Sequence, residues 1–446
     1  MTAAIIGGGI AGLTAAYELV KAGERPCIIE PGPIGGMVRS TQFGEFTLES
    51  GPNVLVERRE MAELFAELGL SSDVRYPSVN PYGQYVWYNG RPTKVPAGVA
   101  ELILSPLFSF SAKLLLPLKV VLPRFLKVSS SDCSVADFFQ PLLGAHAVRH
   151  VLDPVLKGIY GGDVASLSAR SVFPGLWDAA YEGRSLVGYM RSRSSGRKPS
   201  IMVLQGGIQK LTQALWSKVS AHVEYVPLAA ERIVPLDGKR FRINLSGRNT
   251  MEVDGCVVTT AGRASSPLVF HLSESLSDQL LGMRFAGLTV VHIAVSRREP
   301  LVSDAFGVLF PGGMPCDLLG VMFNSVIFPH VAPKDKHILT VMLGGAQAGE
   351  RIVEEQTLRR ELPKLLRDLL GVGATEWLQM YRWPAAIPQL VVGHHQIVKS
   401  MDACEHDFPG VVFAGVDRGG VGVSERIRIA REAVKRLRRA RVETVV

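Results

Sequence analysis

The 446-residue sequence has few cysteines, and its five (Cys27, Cys133, Cys256, Cys316 and Cys404) lie far apart with no Cys-x-x-Cys pair. That spacing excludes a disulfide framework and a cysteine-held zinc or iron–sulfur centre, and it points to a reducing compartment. Aromatic residues are only 7% and form no stripe interleaved with basic ones, so nucleic acid ranks last among partners. No basic segment followed by an apolar one precedes the first strand, expected from Ala3, which argues against secretion or organelle import. No uncharged apolar run approaches the roughly 20 residues that span a bilayer. Acidic residues are outnumbered, 41 Asp+Glu against 49 Lys+Arg, leaving +8. With nucleic acid set aside, an anionic membrane surface or an acidic substrate accounts best for that excess. What is abundant is apolar: 47% hydrophobic residues at this length supply a large core, divided over two or three interwoven domains.

The first thirty residues read strand, glycine turn, helix, strand. Ala3-Ala4-Ile5-Ile6 is apolar, Gly7-Gly8-Gly9-Ile10-Ala11-Gly12 follows, and Leu13 to Lys21 are helix formers that stop at Gly23. Cys27-Ile28-Ile29 is a second strand ending at Glu30, 18 residues after Gly12. The register is that of a dinucleotide-binding βαβ unit. Gly7 permits the tight turn, Gly9 lets backbone approach a pyrophosphate, and Gly12 lets helix and strand pack. The helix N-terminus faces the phosphates, and Glu30 suits an unphosphorylated ribose, as in FAD or NAD.

Further blocks favour the flavin. Gly35-Gly36-Met37-Val38-Arg39-Ser40 and Leu48-Glu49-Ser50-Gly51-Pro52-Asn53 follow the acid. Near the other end, Gly410 to Gly415 reads as a buried strand, and Gly419-Gly420-Val421-Gly422-Val423-Ser424 leads into a helix expected from Glu425 to about Arg439. These blocks resemble the flavin-binding amine oxidase and porphyrinogen oxidase superfamily. The resemblance implies FAD as cofactor, held by Gly7, Gly9, Gly12, Glu30, Gly36, Arg39, Gly51, Pro52, Val257, Gly415, Val423 and Ser424. It also implies that the last turn stabilises negative charge on the reduced flavin. The residues alone also allow an ordinary helix start capped by Ser424. Relatives commonly carry Arg or Lys at Met37 and Asp-Cys at Glu425-Arg426, so contacts there differ.

The string Lys157-Gly158-Ile159-Tyr160-Gly161-Gly162-Asp163 narrows the resemblance to the protoporphyrinogen/coproporphyrinogen oxidase family, supported by Phe306 to Leu309, Ser325 to Pro329 and Tyr381 to Pro384. That family implies oxidation of a porphyrinogen by molecular oxygen, with hydrogen peroxide released. Protoporphyrinogen IX is the expected substrate, with coproporphyrinogen III, and more distantly an amine or a carotenoid, as rivals. A wide apolar macrocycle needs an apolar clamp and few polar contacts. By resemblance Leu309 and Phe328 clamp it, Asn53 and Gly158 face the reacting centre, and Gly161 and Gln84 bind it. Gln84 stands where some relatives have a basic propionate partner, and a neutral amide donates more weakly. Each of these residues also has a plain reading, as core or as turn. His394-His395 is expected to point to opposite faces of a strand, so no metal site is proposed.

Val95 to Leu126 is the greasiest stretch, broken by Pro106, Pro117 and Pro123 and punctuated by Lys113, Lys119, Arg124 and Lys127. It should lie on an anionic interface without crossing it, unless it is a buried helical subdomain or dimer surface. Arg91 to Lys127 holds six basic residues against one acid, and Ser424 to the end eight against three. The expected architecture is α/β. A Rossmann-type FAD domain is assembled from 1–52, 200–262 and 395–446, a mixed α+β substrate domain from 53–90 and 263–394, and residues 91–199 form a helical, membrane-associated insertion. The expected location is cytoplasmic, peripheral to the membrane, with a homodimer and a transient ferrochelatase contact as further partners.

Overall fold

Ala3–Ile6, Cys27–Ile29, Gly255–Val258 and Val411–Phe413 are apolar at nearly every position, the pattern of strands covered on both faces. In the computed structural model they pair in parallel, in the order Glu224–Val226, Cys27–Ile29, Ala3–Ile6, Gly255–Val258, Val411–Phe413. The structure describes residues 3–78, 83–122, 131–193, 200–236, 240–299, 301, 305–348 and 353–443. Three distant parts of the chain thus build one nucleotide-binding sheet. On one side it is covered by the first helix (Ile10–Lys21), Gln209–Val219 and the last helix (Val423–Glu443), which bury Leu13, Ala16, Leu211, Ile427 and Leu437 together.

A second sheet of seven strands runs Thr375–Pro388, Phe285–Ser296, Lys336–Gly344, Leu318–Met322, Gly307–Leu309, Gln84–Tyr88, Arg91–Lys94. One face packs Val291, Val308, Val321 and Val341 against the amphipathic helix Glu355–Leu370. The other face turns toward the nucleotide-binding part.

Several expectations change. Arg91–Lys94, assigned to the helical insertion, is the edge strand of the seven-stranded sheet, paired Tyr85↔Lys94 to Tyr88↔Arg91. Arg59–Leu68, assigned to the substrate part, buries Met61, Leu64 and Phe65 in the core beneath the parallel sheet. His394 and His395 open a helix (His394–Asp407) after Gly393 at φ +92°, so they are not on a strand. Buried His394 bonds through Nε2 to the Asp417 carbonyl at 2.7 Å. Among the described residues no group of three His, Cys, Asp or Glu side chains could hold a metal ion. The last helix starts at Val423, which puts Ser424 inside its first turn instead of at its cap; Ser424 Oγ donates to the Val56 carbonyl at 2.5 Å.

The greasy stretch forms two helices, Val99–Leu104 and Phe110–Val121. Pro117, expected to break helical continuity, lies inside the second, and Pro123, Arg124 and Lys127 lie outside the described residues. Leu104 is 85% exposed, Phe110 83% and Leu114 69%. No described helix is long and apolar enough to cross a membrane.

Candidate functional site

The glycines around the parallel sheet divide by what a side chain would meet. A methyl on Gly7 (φ +109°) would stand 2.4 Å from Thr259 Oγ1, and one on Gly12 would stand 1.9 Å from the Gly7 carbonyl. Those two glycines are required by packing. A methyl on Gly9, Gly419 or Gly422 meets no atom within 4 Å. These three leave open room at the carboxyl ends of the strands, where a parallel α/β sheet binds its ligand. The loop at Gly35-Gly36 closes over the turn: Gly35 N–H donates to the Gly8 carbonyl at 2.9 Å, and a methyl on Gly36 would approach Gly9 Cα to 3.0 Å. Glu30 is held at the rim by the amides of Gly8 (2.8 Å) and Gly32 (2.7 Å). Donor amides, an open glycine cradle and a fixed acid are the donor set that FAD needs.

Met37 and Arg39 follow. A methyl on Gly51 would stand 2.1 Å from the Met37 carbonyl, so the Gly51-Pro52 turn lies directly on this loop, and Arg39 is half-buried beside it. Glu49 is 7% exposed; its carboxyl accepts from Ser40 Oγ at 2.6 Å and from Ile208 N–H at 2.8 Å, and burial pushes its pKa up to about 7. This contact ties the 204–211 segment to the Ser40 and Glu49 strands that follow the Gly35-Gly36 loop. Gly415 closes the crevice: a methyl there would meet the Thr260 carbonyl at 2.2 Å. Val257, expected at the cofactor, is fully buried in the strand core; the positions beyond it, Thr259 and Thr260, reach the strand end. Val423 also packs into that core.

The substrate side is read from strand register, because cross-strand partners share a sheet face. Gln84, Gly307, Met322, Thr340 and His292 form one rung; Val86, Leu309, Gly320, Met342 and Val290 form the next. His292 is 1% exposed, and burial pulls its pKa down to about 4, so the ring is neutral. Its Nε2 lies 3.0 Å from the Glu49 carbonyl and its Nδ1 3.0 Å from Thr340 Oγ1, which places the proton on Nε2, with Thr340 donating to Nδ1. Trp383 Nε1 donates to the Ser50 carbonyl at 2.6 Å. Two bonds therefore fasten the second sheet to the Glu49–Gly51 turn.

Beyond His292 the face splits. At one end Ala294 and Ile338 are sealed by Phe46, Leu48, Ile327 and Phe328. Phe328, expected as a clamp, is 2% exposed there and acts as packing. At the other end Leu309 and Met342 are half-buried, with the helix Asp153–Tyr160 above them. Leu309 Cδ2 would be 2.5 Å from a methyl on Gly158 and 3.2 Å from one on Gly320, so two missing side chains make its bed. Gly161 (φ +61°) ends that helix and packs on Gly345. Asn53 is 6% exposed, donates to the Gly51 carbonyl at 3.2 Å and accepts from Asn324 Nδ2 at 3.3 Å; Asn324 Oδ1 is buried without a partner. Gln84 is exposed at the end of its strand.

Met322, Met342, Asn324 and His292 were missed by sequence reasoning. The signal for the methionines was alternation within Leu318–Met322 and Lys336–Gly344, but it names a face only once the register is known.

The geometry is that of a dinucleotide cradle joined to an apolar, uncharged sheet face, and comparison with known proteins agrees. The chain is 26% identical over 471 residues to coproporphyrinogen III oxidase of Bacillus subtilis (strain 168), covering 96% of each. It is 26% identical over 474 residues to protoporphyrinogen oxidase 2, chloroplastic/mitochondrial, of Arabidopsis thaliana, covering 95% of this chain and 91% of the relative. A candidate protoporphyrinogen oxidase from Exiguobacterium sp. 255-15 superposes with a TM-score of 0.80 at 21% identity, over 97% of this chain and 98% of that one. The profile described as flavin containing amine oxidoreductase matches residues 10–432. The chain belongs to the flavin containing amine oxidoreductase family, as an oxidoreductase with FAD as its cofactor.

Proposed function

We propose that the chain oxidises protoporphyrinogen IX to protoporphyrin IX, in three two-electron steps that each pass electrons to molecular oxygen and release hydrogen peroxide. Bound FAD supplies the hydride acceptor. The protein's own residues do the rest: Leu309, Met342 and Gly158 hold an apolar macrocycle flat against the sheet, and the Asn53–Asn324 pair offers amide oxygen to pyrrole N–H groups. The observation that carries the reading is the half-buried, uncharged face of Leu309 and Met342, fastened to the flavin turn through His292 and Trp383. The names borne by the relatives support it.

Coproporphyrinogen III is the second reading, favoured by the Bacillus relative. Against it stands the absence of charge on this face: Gln84, Met322, Thr340, neutral His292, Leu309 and Met342 bring no positive charge to extra carboxylates. Anaerobic mixing with each porphyrinogen tests both claims. Flavin bleaching is expected, faster with protoporphyrinogen, and porphyrin fluorescence should grow only when oxygen is then admitted, because one flavin accepts two of the six electrons. No bleaching by either overturns the oxidase reading, and a clear preference for coproporphyrinogen overturns the substrate.

A peripheral site on the cytoplasmic face of an anionic membrane is part of the proposal. It is supported by Leu104, Phe110, Leu114 and Leu118, all exposed beside Lys113.

A further inference from the structure

Two basic side chains are buried among the described residues, and their surroundings differ. Lys157 is 5% exposed and bonds Asp153 at 2.6 Å, a closed ion pair. Arg426 is 6% exposed, yet the one hydrogen bond of its guanidinium goes to a neutral acceptor, the Gly415 carbonyl. Its Nε and Nη2 are buried without partners. Asp417 and Glu425 are close enough to act on its charge, but neither forms an ion pair with it. The Asp417 carboxylate accepts the Gly262 N–H at 3.0 Å, and Glu425 is engaged by Arg428 and, at 4.0 Å, by Arg58. Burial lowers the Arg426 pKa to about 10, which leaves it charged at neutral pH.

A buried guanidinium with two unpartnered nitrogens and no ion-paired carboxylate is unfavourable, and such sites in folded proteins are normally completed by an opposite charge. The place is informative. Arg426 stands in the first turn of the last helix, immediately after the glycines whose methyls would meet nothing, and reaches to Gly415 at the carboxyl end of its strand. That is the crevice where the cofactor belongs.

We propose that Arg426 is the counter-ion of an anionic part of the bound FAD, either its pyrophosphate or the negative charge that the isoalloxazine gains on reduction. The two sources make different predictions. The pyrophosphate carries the same charge in both redox states, so a contact there sets affinity and leaves the midpoint potential alone. A contact with the ring favours the reduced state over the oxidised one and raises the potential.

Arg426→Gln keeps a donor for the Gly415 carbonyl and removes the charge. In the holoprotein, after FAD removal and retitration by flavin fluorescence, the FAD dissociation constant is expected to rise at least tenfold if the pyrophosphate is the partner. If the ring is the partner, reduced flavin loses at least tenfold relative to oxidised, a midpoint potential about 30 mV lower for the two-electron couple by dye equilibration. Arg426→Lys should recover most of either effect. An FAD affinity within twofold of the parent value together with a midpoint potential within about 9 mV of it, the two-electron equivalent of twofold, would overturn the proposal and leave Arg426 as a prop for Gly415. Should the glutamine variant fail to fold, Asp417→Asn, which keeps an acceptor for Gly262 N–H, must shift the same quantity in the opposite direction; no shift overturns it as well.

Discussion

Two segments carry the protein's positive charge, and they are folded in opposite ways. In the last helix Arg428, Arg431, Arg436, Arg438 and Arg441 meet Glu425 and Glu432, Glu18, Glu405, and, for the last two, Glu24. Its apolar side, Ile427, Ala430, Ala433, Val434 and Leu437, is buried against the first helix and the parallel sheet. Between Arg91 and Val121 the order is reversed. Lys94 meets Glu101 at 3.5 Å and Lys119 bonds the Pro141 carbonyl, while Ile103, Leu104, Phe110, Leu114, Leu118 and Val121 are exposed. Positive charge therefore means different things: one helix uses it to bind its own chain, the other presents it beside uncovered apolar surface. That uncovered surface is what the proposed membrane contact would bury.

The largest test of that contrast is on stability. Leu437→Ala, at a fully buried position, should cost about 2–5 kcal/mol, whereas Leu114→Ala, at an exposed one, should fall within about 0.5 kcal/mol. Chemical denaturation followed by flavin fluorescence measures both. Comparable losses would mean that the Phe110–Val121 helix is packed in solution, as a buried subdomain or dimer surface would be. Phe328→Ala belongs with the buried class: about 3–5 kcal/mol lost, with FAD retention and porphyrinogen turnover falling together. A selective loss of turnover would restore Phe328 as a clamp.

Next in size is lipid binding. Changing Phe110, Leu114 and Leu118 to Ser removes side chains each worth about 1.5–3 kcal/mol on full burial, so flotation with anionic vesicles should be lost with the fold intact. Arg431→Gln should have the complementary outcome. Its guanidinium is only 13% exposed, 2.7 Å from Glu18 and 3.2 Å from the Glu60 carbonyl. A cost of about 2 kcal/mol in stability, between surface and buried pairs, is expected with no change in flotation.

How far the sequence foretells this follows from the range of the interactions. Gly7, Gly9, Gly12 and Glu30 are legible because their roles are set within thirty residues by one strand–turn–helix–strand unit. The fastening of Glu49 to Ile208, or of Trp383 to Ser50, joins residues more than 150 apart in sequence and has no local signature. Phe328 and Met342 exchange roles for the same reason. Both are apolar, and only the register from Gly307–Leu309 through Leu318–Met322 to Lys336–Gly344 assigns Met342 to the open end of the face and leaves Phe328 in the sealed one. His394 and His395 misled because a short apolar run before them, Leu390-Val391-Val392, reads as strand, whereas Gly393 in the left-handed region turns the chain into a helix.

The smallest predicted effect isolates charge from apolar contact. Lys113 lies on the Phe110–Val121 helix among its exposed leucines, and at a membrane its ammonium would sit at the headgroups while its stem lies along the apolar surface. A basic residue near an anionic surface contributes about 1 kcal/mol, so Lys113→Gln should weaken binding to vesicles rich in anionic lipid roughly fivefold at low salt. On neutral vesicles, or once salt shortens the Debye length to about 3 Å near 1 M, the same substitution should change nothing, because only the Coulombic part has been removed. A loss equal on neutral and anionic vesicles would show that Lys113 contributes through its stem. Binding insensitive to lipid charge and to salt in the parent protein would dissolve the contrast itself, since the basic residues of both segments would then serve only the fold.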